Sequence, residues 1–118
     1  MSKDILIRAF EVTGSGFCVA SDDGQKVHDQ LAEALRANAK VTLSFQNVKS
    51  LTSAFLNAAI GQLYGEFQEE KIRTSLSVSD MAADDMALLK QVVSTAKQYF
   101  SDPTRITAAR KEVLGPDE

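Results

Sequence analysis

The chain has no tryptophan, one cysteine, one histidine and two prolines among its 118 residues. A single cysteine, Cys18, excludes an intrachain disulfide and any zinc site built mainly from thiolates. A single histidine, His28, leaves a Ser-His-Asp or Cys-His relay only that one residue to pass through. No run approaches the roughly 20 apolar residues needed to cross a bilayer. Met1 to Ile7 carries Lys3 and Asp4 and no apolar stretch long enough for a signal peptide, so a soluble, cytoplasmic chain without membrane contact is expected. Basic excess is missing too: 13 basic against 16 acidic residues give a net charge of −3 and a pI near 5.1, which argues against nucleic-acid binding. The phosphate loop G-x-x-x-x-G-K-[ST] and the nucleophile elbow G-x-S-x-G do not occur. Gly14-Ser15-Gly16 lacks the third glycine and the directly following helix of a dinucleotide fingerprint. With no acid pair clustered at a strand end either, the expectation is a non-enzymatic chain that needs no cofactor and no metal.

What is present suits a globular fold. Apolar residues make up 44% and charged residues 25%, and one domain is expected over residues 1–118, with its core at about 5–100. Ile5 to Val12 alternates, with Ile5, Ile7 and Ala9 on one side, and predicts a strand. Thr13 to Gly16 is a turn and Phe17 to Ala20 a short strand, expected to pair with the first as a hairpin. Ser21 is the expected N-cap of a helix whose stripe is Val27, Leu31, Ala34 and Leu35 and which stops at Asn38. Lys40 to Phe45 predicts a third strand, and Ser53 to about Glu69 a second, broadly apolar helix. Its Gly61 and Gly65, four apart, allow a neighbouring element to approach closely. Ile72, Leu76 and Val78 suggest a fourth strand, and Asp80 caps a helix carrying Met86, Leu89, Val93, Ala96 and Phe100. Asp102-Pro103 opens a last helix over about 103–114, ended by Gly115-Pro116, with a frayed tail at 116–118. The expected fold class is α/β: a mixed, mostly parallel four-stranded sheet with an N-terminal hairpin and about four helices.

Few residues offer chemistry. His28 follows Val27 on a charged helix face, where a solvated imidazole is expected. Cys18 has apolar neighbours and reads as a buried, inert thiol. Asp22 and Asp23 after a strand suggest the magnesium pair of a response-regulator receiver. That reading needs an acceptor aspartate after a later strand, and none lies between Glu33 and Glu66, so helix capping accounts for the pair. The segment Ser44 to Gly61 remains, where hydroxyls and amides crowd a strand-to-helix junction. Thr52 or Ser53 is expected to cap the helix there.

The run VTLSFQNVKSLTSAFLNAAIGQLYGEF, with its Thr-Ser pair, the following Phe and the helix behind it, resembles the STAS-like domain family. Its members are distant relatives of the STAS domains of anti-sigma-factor antagonists. GFCVASDDGQKVHDQL is similar to the strand and helix start that precede this junction in the family. The resemblance covers most of Ile5 to Leu89 and is sharpest from Ser50 to Gly61. It implies a regulatory protein-interaction module docking on a histidine-kinase-like ATPase, a Ser kinase or an anti-sigma-type regulator, with release on phosphorylation of a hydroxyl at the junction. In antagonists the junction reads Asp, two hydroxyl residues, then Gly-Leu. Here Thr52 takes the place of the aspartate, Ser53 the first hydroxyl, Ala54 the second and Phe55 the glycine. Ser53 and Thr52 are therefore the candidate phosphoacceptors. Ser50, Ala54, Phe55 and Asn57, with Ser21, Asp22 and Asp23 of the Ser21 to Gly24 turn, form the candidate docking edge. The alternative is a small-ligand or anion-binding, or scaffolding, module of the same fold with no phosphorylation switch. Residues 1–38 carry four basic and six acidic groups, so a partner with a basic rim is expected.

Overall fold

The alternations at Ile5, Ile7 and at Val41, Leu43 become the inner face of a parallel sheet in the computed structural model, which describes residues 3–101. Strand β3 (Lys40–Ser44) lies at the centre, between β1 (Asp4–Arg8) and β5 (Leu76–Ser79). The register sets Ile5, Val41 and Leu76 in one row and Ile7, Leu43 and Val78 in the next. Because side chains alternate across a strand, these rows share one face. The intervening row, Leu6, Thr42 and Ser77, points the other way, and Leu6 is 55% exposed.

Helices cover the apolar face. α2 (Ser21–Arg36) buries Val27, Leu31 and Leu35, the stripe expected from their spacing. It ends as Asn38 predicts. Asn38 takes a left-handed φ of 61°, its N–H donates to Leu35 O, and Ala39 N–H donates to Ala34 O. These two hydrogen bonds satisfy two of the helix's last carbonyls. α3 (Ser53–Ala59) packs closely along α2. A Cβ on Gly24 would lie 2.5 Å from Phe55 O, so only glycine permits this approach. α5 (Ala83–Ser101) closes the other side with Leu89, Val92 and Ala96. Among the described residues no helix is long and apolar enough to cross a membrane.

Several expected elements are corrected. The first strand stops at Arg8, and residues Ala9–Thr13 form a one-turn helix, α1, which Gly14 ends in a left-handed conformation. This turn carries the chain off the sheet, so no hairpin forms. β2 (Phe17–Cys18) instead pairs in parallel with β4 (Ser50–Leu51), giving, among the described residues, sheets of three and two strands in place of one four-stranded mixed sheet. Ala20, not Ser21, is the N-cap of α2. The helix expected to reach Glu69 ends at Ala59, and residues Gly61–Gly65 form a 3-10 turn. There Gly65 does allow close approach, since a Cβ on it would lie 2.5 Å from the Phe100 ring; a Cβ on Gly61 would instead meet Asn57 Oδ1 of the preceding turn at 2.5 Å, with Val92 at an ordinary contact distance of 3.6 Å. Ile72 belongs to α4 (Glu69–Ser75) and not to the strand that follows. Asp80 does not cap α5. It has a left-handed φ of 59°, and its carboxylate accepts from Ser44 Oγ at 2.8 Å and from Ser79 Oγ at 3.2 Å. That bond satisfies the buried hydroxyl of Ser44. The expected helix at 103–114 lies outside the described residues.

Candidate functional site

The short β2–β4 ladder builds the junction. Cys18 pairs with Leu51, and Thr52 N–H then donates to Cys18 O. Thr52 has extended backbone and is the N-cap of α3: its Oγ1 accepts from Phe55 N at 3.2 Å and donates to Val19 O at 2.8 Å. One hydroxyl therefore caps the helix and ties it to the β2 segment. Cys18 beneath is fully buried, and desolvation raises its thiol pKa above the ordinary range.

The residues singled out by sequence fall into three environments. Ser53, Ala54 and Asn57 are exposed on the first turn and a half of α3. They line a groove of about 420 Å³ whose other wall is Leu88, Gln91 and Thr95 of α5. Among the described residues Ser53 Oγ has no hydrogen-bond partner, whereas both capacities of Thr52 are in use. Ser50 is half-buried in the ladder. Ser21 and Asp22 are exposed at the start of α2, and Asp23 pairs with Lys26 at 3.4 Å. The Gly24 contact brings this turn against the body of α3. Phe55 leaves the docking set: it is 0% exposed and is the largest fully buried side chain. Helical geometry turns it inward when Ser53, Ala54 and Asn57 turn outward.

Two exposed apolar residues beside the junction escaped the sequence reading. Phe17 is 58% and Val19 42% exposed, on either side of buried Cys18. The out-in-out alternation of a strand was the available signal. Phe17 is in register with Ser50, and Val19 O holds the Thr52 hydroxyl.

His28 is a second surprise, buried where a solvated ring was expected. Its Nε2 lies 3.0 Å from both Glu66 carboxylate oxygens, and its Nδ1 faces Gln25 Nε2 at 3.0 Å and Asp29 Oδ1 at 3.1 Å. A neutral ring donates from Nε2 to Glu66 and accepts from Gln25; an imidazolium donates also to Asp29. Hydrogen bonds from Gln25 and then His28 hold the exposed Asp29 carboxyl below the usual aspartate range. A folded pKa depressed in this way contributes stability above the unfolded value of about 3.9, and the contribution is lost as pH falls through the folded pKa. A carbon-detected NMR titration is expected to place Asp29 below free aspartate. Gln25→Ala should move the midpoint upward, and an unmoved midpoint would show that Gln25 is not the main cause. Among the described residues, no group of three or more His, Cys, Asp and Glu side chains could hold a metal ion.

A family model described as "STAS-like domain of unknown function (DUF4325)" matches residues 23–86, from the first turn of α2 to the first turn of α5. The match spans more than half of the chain, and the protein belongs to this family. No curated protein and no solved structure matches it.

Proposed function

We propose that this STAS-like domain is a non-catalytic regulatory module that docks on a protein partner through the β4–α3 junction and is released by phosphorylation of Ser53. The partner class implied by the resemblance is a histidine-kinase-like ATPase, a Ser kinase or an anti-sigma-type regulator. The observation that carries the reading is the division of labour between two adjacent hydroxyls. Thr52 is committed to the cap, while Ser53 is exposed, without a hydrogen-bond partner among the described residues, and at the first helical position. Thr52 fills by itself the capping role that an aspartate can play at this position. The aspartate's absence therefore leaves the helix start intact.

A phosphate on Ser53 would add a charge of about −1.5 to −2 beside a helix N-terminus, which tolerates it. On the wall of the groove the same charge would have to be desolvated when a partner docks, and docking would weaken. Phe17 and Val19 favour a protein partner over an anion, because exposed apolar side chains beside the junction suit a protein interface. Two of the leading amides of α3 are not free for an anion: Phe55 N–H is taken by Thr52 Oγ1 and Leu56 N–H by Thr52 O.

The test is phosphopeptide mapping by mass spectrometry of the protein purified from its own host, alongside Ser53→Ala. Phosphate is expected on Ser53, with none on Thr52. Phosphate on Thr52, or undiminished incorporation in Ser53→Ala, would remove Ser53 from the switch.

A further inference from the structure

α5 has two working sides. One faces the Ser53 groove; the other, through Leu89, Val93 and Lys97, lines a separate cavity of about 240 Å³ beneath α4 and the edge strand β5. The apolar lining is Ile60, Ile72, Leu76 and Val78 together with Leu89 and Val93. Four polar side chains complete it: Tyr64, Glu69, Arg73 and Lys97. A cavity of about 150 Å³ is known to hold a benzene ring, so this one has room for a ring or a chain of six to eight carbons.

The polar groups are unevenly matched. Lys97 Nζ is 2.9 Å from Glu69 Oε2, which neutralises one cation. Arg73 is exposed and has no ion-pair partner among the described residues, yet it lies close enough to Lys97 to oppose that residue's charge. The Tyr64 hydroxyl, half-buried, has no hydrogen-bond partner among the described residues, and burial raises its pKa. Three donors and one carboxylate leave one positive charge and two donors without acceptors. A planar monoanion fits that remainder, and a guanidinium fork matches a carboxylate in shape. A cation would meet Arg73 and Lys97.

We propose that this cavity is a second binding site, for a small carboxylic acid with an aliphatic or aromatic tail. The tail lies on the Ile60, Ile72 and Val93 floor, and the carboxylate sits between Arg73, Lys97 and the Tyr64 hydroxyl. This site shares no residue with the Ser53 groove and does not depend on phosphorylation or on a protein partner.

The experiment is a titration of the isotope-labelled full chain with octanoate, butanoate and octanol, followed by amide chemical shifts. Octanoate is expected to move the amides of Tyr64, Arg73 and Val93 at millimolar concentration or below. Affinity should rise roughly fourfold per added methylene between butanoate and octanoate, as burial of apolar surface requires. Octanol should bind about tenfold more weakly, and Arg73→Gln, a surface change that leaves the core intact, should cost octanoate about tenfold. Equal binding of octanol and octanoate, unchanged affinity in Arg73→Gln, or no shift at these amides at millimolar octanoate would each overturn the proposal.

Discussion

Phe55→Ala is expected to lower the unfolding free energy by about 3–5 kcal/mol. Phe55 is 0% exposed and sits in the shared core with Leu31, Leu35, Leu43 and Leu56. Truncation removes an aromatic ring from water-free surroundings and leaves a cavity that α2 and α3 cannot close easily. The Gly24 contact already holds their backbones at the closest approach. A domain with a total stability of about 5–15 kcal/mol would lose a large share of it. Had Phe55 served mainly as a docking contact on the surface, the same change would cost no more than about 0.5 kcal/mol. Urea unfolding followed by circular dichroism separates the two, through a lower midpoint at unchanged slope. Asn57→Ala, two residues on and exposed, is the matched control and should stay within about 0.5 kcal/mol.

This contrast between Phe55 and Asn57 shows where sequence reading works and where it stops. Local patterns carried through: the inward pair Ile5 and Ile7, the α2 stripe and its end at Asn38, and a hydroxyl cap at either Thr52 or Ser53 all follow from neighbours within a few residues. Features set by distant partners did not. The ring of His28 is buried because Glu66, 38 positions away, supplies its acceptor, and Asp80 serves Ser44 from 36 positions away. A two-residue strand such as Phe17–Cys18 has too little pattern to reveal whether it pairs antiparallel with β1 or parallel with β4. The apolar series Leu56, Ile60, Leu63 and Phe67 keeps helical spacing across the break at Ile60, since a 3-10 turn can bury the same positions as an α-helix. At the site, the hydroxyl pair was legible but its division of labour was not. Which of Thr52 and Ser53 is committed depends on Val19 O, supplied by a segment more than thirty residues earlier.

Gly24→Ala tests the closest approach of α2 to α3, and two opposing effects decide its sign. In an open helix interior the change would stabilise by about 1 kcal/mol through helix propensity. Here the new Cβ would lie 2.5 Å from Phe55 O, 2.8 Å from Ala58 Cβ and 3.3 Å from Ala59 N. The nearest atom is backbone, which cannot swing aside as a flexible side-chain end could. Relief requires α2 and α3 to separate, and forcing extra volume into packed structure typically costs about 1–3 kcal/mol. Overpacking should therefore offset or exceed the propensity gain, with a net loss of up to about 2 kcal/mol by the same urea measurement. The separation would also shift the Ser21 to Asp23 turn relative to α3. Chemical shifts at both segments are expected to move together, while those of Leu6 on the outer face of the sheet stay in place. A stability gain of about 1 kcal/mol would instead mean that the helices have room at this crossing.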